Sequence, residues 1–497
     1  MFHRGHFARL LAAVALAFAL NALAGGAAED PPSLSGAGAG AADPASHTAP
    51  NSASNVALDS APNSRVRIVR LSQVIGAVKI DRELNRGFEN AATNLPLIEG
   101  VKLQTEMGLA EVEFEDNSSL RMTPDTTIEL EQLQLRPTGS KVSTVHVVAG
   151  MVYVSMASAK GNDFRLRFGS ENLVLHPSSH VRLQVANSQA ELSMLKGAAE
   201  IEGPTETTPV WKKRTLRFDL ANPDQPAHMQ RVAESRFDGW DRQAAEYHST
   251  VAQSGSFDFS GSSGAYGGAP YGYGMSDMNY YGSFIGAGGC GSMWRPYLAS
   301  ASWDPYGNGA WAWYGGTGYS WVSPYPWGWM PYHYGSWSYC SGYGWGWRPG
   351  GAWMGLANGV MPVNGRSHPP LMPPRPRRPP GPGQPALIPV SMQRLAVSGL
   401  KSNDTFVFRN DSAGLGVPRG SLGSLTRISR QAQIHESVSM PVLIGNAAAR
   451  SNGSGGPMAA GRAGGFGSSS SMGGLSGASR ASSAAGRGAS SGGGHSR

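Results

Sequence analysis

Only two cysteines, Cys290 and Cys340, occur in 497 residues. That scarcity excludes a disulfide-dense scaffold and any zinc site built from cysteine alone. Charge is sparse too. Asp, Glu, Lys and Arg make up 15% of the chain, and the formal net charge is +7. A bias this small suits anionic envelope polymers as well as nucleic acid and selects neither. After residue 20 no apolar run reaches the ~20 residues that a bilayer span needs. Catalytic motifs are also missing. There is no His-Glu-x-x-His and no Walker-type phosphate loop. The string Gly488-Ala-Ser490-Ser-Gly492 spells a nucleophile elbow, but it sits in a Gly/Ser tail with no strand before it and no helix after it. The expectation is a non-enzymatic protein without cofactor or metal.

What is abundant is glycine and proline, with 67 and 34 residues. Much of the chain therefore reads as linker or low complexity, and its length suggests several units. Arg4 and Arg9 precede an apolar run at residues 10–20, and Ala22-Leu-Ala24 supplies small residues where a signal peptidase reads. This pattern is a secretory signal peptide over residues 1–24, cleaved after Ala24. The other outcome is an uncleaved anchor, for which the run is short. The expected location is the periplasm or the cell surface, with no transmembrane span in the mature chain. In such an oxidising setting Cys290 and Cys340 can pair, closing a loop of about 50 residues worth ~4 kcal/mol. Two free thiols are the alternative.

Residues 25–64 are Ala, Pro, Ser, Asn and Gly, a disordered leader. From residue 65 short β-rich runs recur at about ten-residue spacing. Ala110-Glu-Val-Glu-Phe-Glu115 is the clearest: Ala110, Val112 and Phe114 alternate with Glu111, Glu113 and Glu115. Period two with opposite chemistry predicts one buried face and one solvated face carrying the three glutamates. Ten or so strands without an intervening helix predict an all-β sandwich or roll over residues 65–203. Residues 204–250 read as a connector with a helix over 227–247, and 251–293 as a Gly/Tyr-rich linker. Residues 355–385 are a Pro/Arg-rich, semi-rigid spacer that includes Arg375, Arg377 and Arg378. A small ordered segment follows at 386–448, with a short helix near 427–435. Residues 449–497 are a Gly/Ser/Arg tail expected to be disordered.

Leu97-Ile-Glu-Gly100-Val-Lys-Leu103-Gln-Thr105, then Ala110-Glu-Val-Glu-Phe-Glu-Asp116-Asn-Ser118-Ser-Leu120-Arg-Met122, then Val147-x-x-Gly150-x-Val152 resembles a FecR-type domain. Two positions depart from that family's pattern: Val101 stands where Asp is usual and Asn117 where Gly is usual. Asn tolerates the left-handed conformation that a turn glycine supplies. The family's founding members relay a signal from an outer-membrane transporter to a cytoplasmic sigma factor, using a cytoplasmic domain before their membrane span. Only nine residues precede the apolar run here, so the resemblance implies a detached extracytoplasmic β-module without the relay; the alternative to an aromatic block that binds envelope glycan is that this module binds a periplasmic protein, with the aromatic block structural.

Residues 294–354 hold eleven of the thirteen tryptophans. Trp303-Asp-Pro-Tyr306-x-x-Gly309-x-Trp311 recurs as Trp329-Met-Pro-Tyr332-x-x-Gly335-x-Trp337, and the 26-residue offset persists to Trp327 and Trp353. Such a repeat indicates a duplicated supersecondary unit, here a small aromatic-rich β-repeat. The block resembles an aromatic-rich module of unknown function that follows FecR-like domains in secreted bacterial proteins, acidobacterial ones especially. The rings can form the core of a small β-unit. They can also stack on sugars, since so many tryptophans exceed what a block of this size buries alone. The stacking candidates are Trp311, Trp313, Trp321, Trp329, Tyr332, Trp337, Trp345 and Trp347, with peptidoglycan or another envelope polysaccharide as ligand and no nucleic acid. His333, between two tyrosines, reads as a surface or packing residue.

Overall fold

The computed structural model describes residues 67–158, 161–202, 207–222, 228–254, 272–351, 353–357, 373–391, 405–420, 422 and 425–441. The signal-peptide, leader and tail segments, and residues 255–271 and 358–372 of the two linkers, lie outside them. The described chain is mainly β, with four helices: α1 (Asp238–Ser254), α2 (Met275–Tyr281), α3 (Met330–His333) and α4 (Leu425–His435).

Seventeen strands form the first part as two sheets sharing one long strand, Lys141–Ser155. The first half of that strand pairs with Thr126–Leu135 and, in parallel, with Asp163–Phe168. Its second half pairs with Ser119–Met122 and His180–Ala186 in the other sheet. The change of sheet falls at Gly150, whose φ is +93°. A Cβ there would lie 2.4 Å from the Cα of Thr126. The glycine of the Val-x-x-Gly motif is thus required by close backbone approach and by a left-handed conformation. Gly150→Ala is expected to cost about 3 kcal/mol or more in urea unfolding. Gly139→Ala, at φ +82° with open space around it, should cost about 1 kcal/mol. Equal losses at the two positions would refute the crowding argument.

Between the sheets lies an aliphatic core that includes Val69, Ile80, Leu103, Val112, Leu130, Val154, Leu173 and Leu192. Asn117 adopts φ +67° in the turn after Phe114, with the Ser118 N–H donating to Asp116. Two expectations are corrected beyond residue 203. Thr207–Trp211 and Arg214–Asp219 are not connector: they extend the two sheets. His228–Arg231 adds an edge strand, so the helix begins at Asp238 rather than near 227. Its start is fixed locally, because the Asp238 carboxylate accepts the Ser235 N–H at 2.8 Å and acids favour a helix N-terminus.

The 26-residue repeat folds as two equivalent hairpins. Gly309–Tyr314 pairs with Gly318–Val322, placing Trp311 opposite Trp321 and Trp313 opposite Tyr319. Ser336–Cys340 pairs with Gly344–Arg348, placing Trp337 opposite Trp347 and Tyr339 opposite Trp345. Each hairpin opens on a glycine because the partner tryptophan lies over it. A Cβ would meet Trp321 at 2.1 Å from Gly309, and Trp347 at 2.6 Å from Gly335. The second hairpin joins Gly282–Ala287 and Gly291–Pro296 in one sheet, and Cys290 and Cys340 are bonded across that unit. The first hairpin pairs with the late strand Leu387–Ser391. The described part of the supposed linker, residues 272–293, is therefore ordered. The described part of the spacer is docked as well: Tyr319 donates to the Arg378 carbonyl at 3.1 Å, Arg375 lies 5.4 Å over the Trp311 ring, and Arg86 donates to Pro380 and Gly381 carbonyls.

Candidate functional site: a buried charged seam

The outer face of one sheet carries a cross-strand row of polar side chains. Glu111 stands opposite Arg121, Arg121 opposite Tyr153, Tyr153 opposite Arg182, and Arg182 opposite Ser193. Alternation places the row correctly on the face away from Val112 and Phe114. The expectation that this face is solvated is wrong. Glu111, Glu113 and Glu115 are 1%, 2% and 5% exposed. Later segments of the chain cover them, and charged side chains complete their hydrogen bonding: His248 and Arg419 at Glu111, Arg70 at Glu113 and Arg67 at Glu115.

Helix α1 supplies the first cover. Its Asp238 accepts from the Tyr153 hydroxyl at 2.7 Å and from Arg182 at 2.9 Å. Asp241 accepts from Arg121 at 2.6 Å and contacts His180 at 2.9 Å. His248 lies 2.9 Å from Glu111. Helix α2 supplies Asp277, which takes the Tyr247 hydroxyl at 2.9 Å, Arg70 at 2.8 Å and Arg419 at 2.6 Å. Arg419 also reaches Glu111 at 3.0 Å and the Ser72 carbonyl at 2.8 Å. Arg70 bridges Glu113 at 2.9 Å and the Asn94 side chain at 2.8 Å, and donates to the Pro326 carbonyl within the aromatic unit. Asn94 in turn donates to the carbonyls of Ser323 and Tyr325. Glu115 forms a two-pronged pair with Arg67, at 2.9 and 2.8 Å.

A buried carboxylate survives only when charged and neutral donors replace its lost water. Burial alone would raise the Glu111 pKa, but His248, Arg419 and Arg121 outweigh it and hold the group well below the usual carboxylate value. Burial pulls His248 down, and the Glu111 charge overrides it, leaving the imidazole above its ordinary 6.5. A raised histidine stabilises fully below its unfolded value and loses that contribution as pH rises through the folded one. His248→Gln should therefore cost about 1–2 kcal/mol near pH 6 and progressively less toward pH 9. Urea unfolding across that range checks it; a pH-independent cost would refute the charged pair.

The sequence-predicted stacking residues lie elsewhere. Trp311, Trp321, Trp329, Tyr332, Trp337, Trp345 and Trp347 are all at most 5% exposed, and only Trp313 of the eight keeps a partly open surface. Trp329 packs into the sandwich core; the others build or flank a second core with Trp294, Trp303, Tyr325 and Trp327, sealed by Phe406, Phe408 and Ile428 from the C-terminal segment. The expected surplus of exposed rings is thus corrected. His333 is buried in the same region, stacked on Trp353 at 5.2 Å, with Nδ1 2.7 Å from the Gly355 carbonyl. Burial holds its pKa down at about 4, so it stays neutral. Sequence reading missed Arg70, Asp277 and Arg419 altogether. For Asp277 and Arg419 the one signal was an isolated charge in an otherwise apolar or Gly-rich setting. Among the described residues no group of His, Cys, Asp or Glu is arranged to hold a metal, and no helix is long and apolar enough to cross a membrane, which says nothing of a β-barrel.

Two family matches coincide with these two parts. The family described as FecR protein matches residues 101–200, and a family of unknown function, DUF6600, matches residues 275–360. No curated protein matches. Among solved structures, two crystal structures of a candidate anti-sigma factor from Parabacteroides distasonis ATCC 8503 are similar. One, at 2.50 Å resolution, has 11% identity and a TM-score of 0.23, over 28% of this chain and 62% of that one. The other, at 1.65 Å, has 9% identity and a TM-score of 0.24, over 28% and 63%. The chain spans less than two thirds of the length of either. The chain accordingly carries a FecR domain match at residues 101–200, within the β-sandwich, followed by a DUF6600 match at residues 275–360, over the twin-hairpin unit.

Proposed function

We propose that this chain is a non-enzymatic, extracytoplasmic envelope module that acts by binding a protein partner through its FecR domain. The observation that carries the reading is the seam. One outer face of the sandwich is occupied by α1, α2 and Arg419, and the aromatic rings are spent on the core beside it. The face left open belongs to the other sheet. There a broad groove of about 1350 Å³ is lined by Arg67, Glu99, Glu131, Arg136, Arg165 and Arg167. Its charges form half-exposed cross-strand pairs, Arg167–Glu131 at 2.6 Å and Arg165–Glu202 at 3.3 Å. Such pairs add little stability and are free to exchange partners with a protein surface of mixed charge. The extracytoplasmic setting rests on the signal-like residues 1–24. Sugar stacking by the aromatic block is disfavoured by the burial of its rings.

The test is crosslinking of the full-length chain in its own cells. A discrete protein neighbour should be captured by the parent and lost in Arg165→Glu/Arg167→Glu, with Arg217→Glu as the control on the covered sheet. Retention on insoluble peptidoglycan that disappears in Trp313→Ala, with no protein neighbour, would overturn the proposal in favour of glycan binding.

A further inference from the structure

The turn that carries the chain from one sheet to the other lies between Thr207–Trp211 and Arg214–Asp219. It packs on the turn before Ala198: the Lys212 N–H donates to the Gly197 carbonyl at 3.1 Å and the Lys213 N–H to the Met194 carbonyl at 2.7 Å. The two stacked turns bring Lys196, Lys212 and Lys213 to one end of the sandwich. Arg214 joins them and stands directly opposite Arg231 on the edge strand. All five cations are exposed. Like charges at one cross-strand position destabilise the fold, so packing does not explain the Arg214–Arg231 pair. The ion pair near this end, His176–Glu200 at 3.2 Å, occupies a neighbouring acid and includes none of the five. Beside the lysines stands Trp211, opposite Ala198 and 62% exposed, while Met229 on the edge strand is 57% exposed. Every other tryptophan whose surroundings are described is buried or partly buried.

We infer that this tip is a docking site for an anionic lipid surface. An indole at the end of a protruding turn has the amphipathic character that settles at the headgroup level. The surrounding lysines and arginines each gain about 1 kcal/mol near an anionic leaflet. A polymer strand would instead require a groove with successive stacking rings, and the tip carries one exposed tryptophan. The site is separate from the open face assigned to a protein partner, so either proposal can fail alone.

The experiment is co-sedimentation of the full chain with vesicles of phosphatidylcholine, alone or mixed with phosphatidylglycerol, compared with Trp211→Ala and Lys212→Ala/Lys213→Ala. The apolar run at residues 10–20 is common to all three chains, so differences between them report the tip. Retention should require phosphatidylglycerol, fall about 25-fold in the double lysine variant and fall measurably in Trp211→Ala. All substitutions are at exposed positions, and an unchanged unfolding midpoint verifies folding. Equal retention of the three chains, or equal retention on both vesicle types, would overturn the inference. So would parent and Trp211→Ala chains binding inorganic polyphosphate equally with no retention on vesicles, which would make the tip a general polyanion site.

Discussion

Arg70→Met is expected to destabilise the protein by about 3–5 kcal/mol, the loss found when one partner of a buried charge cluster is removed. Arg70 is fully buried and serves two carboxylates at once, Glu113 and Asp277, besides Asn94 and the Pro326 carbonyl. Its removal leaves Glu113 with the Gly274 N–H as its remaining described donor, and it removes one of the hydrogen bonds that join the sandwich to the aromatic unit. Urea unfolding is the measurement. Arg419→Met should cost less, because Glu111 retains Arg121, His248 and the Ser72 hydroxyl while Asp277 retains Arg70. Arg70→Met/Glu113→Gln should recover part of the single-variant loss, since one orphaned charge is gone. A loss below about 1 kcal/mol for Arg70→Met would mean the cluster contributes as an exposed pair does, and the seam would not unite the two domains.

The second large effect is expected at Trp327. Its side chain is fully buried at the centre of the aromatic core. It stacks on Tyr325 with ring centres 4.9 Å apart and planes at 10°, and meets the edges of Trp294 and Trp303 at 5.0 and 5.9 Å. Its Nε1 donates to the Ala413 carbonyl at 2.7 Å. Trp327→Ala is expected to lose about 3–5 kcal/mol through the cavity alone. The lost donor also loosens the C-terminal segment, so limited proteolysis should cut within residues 405–441 sooner than in the parent chain. Trp313→Ala, at a partly exposed position, should lose about 1 kcal/mol or less. Similar losses at the two positions would show that the rings do not form a hierarchical core.

The contrast between the two variants bears on how much was legible in the sequence. The strands around residues 110–122 were readable because period-two alternation is a local property, and so was the turn at Asn117. Which face of that strand is dry is not a local property. The cover for Glu111 comes from His248 and Arg419, 137 and 308 residues away, and a lone Glu-x-Glu-x-Glu row looks the same whether or not such a cover exists. The tandem repeat was readable as a duplicated unit for the same reason as the strands. Its burial was misjudged because the block was weighed as if it packed by itself. In fact Met278 and Tyr281 from α2, and Phe406, Phe408 and Ile428 from the far segment, close over the rings. The helix start was misplaced because Met229 and Val232 extended the apolar spacing backwards, whereas the Ser235–Asp238 cap marks the true boundary.

Completing the seam means closing very long loops. The Arg70 contact to Pro326 joins positions 256 residues apart, and the Arg419 contact to Ser72 spans 347. Contacts this distant repay their closure entropy late, and topologies dominated by them fold slowly. The sandwich strands emerge first from synthesis, so for most of the chain's production the carboxylates of Glu111 and Glu113 stay hydrated and keep that face soluble. Cover by α2 and then the pairing of Glu111 with Arg419 come at the end. The sheet face that is sealed in the finished molecule therefore serves, during assembly, as a charged guard against premature pairing with another sandwich.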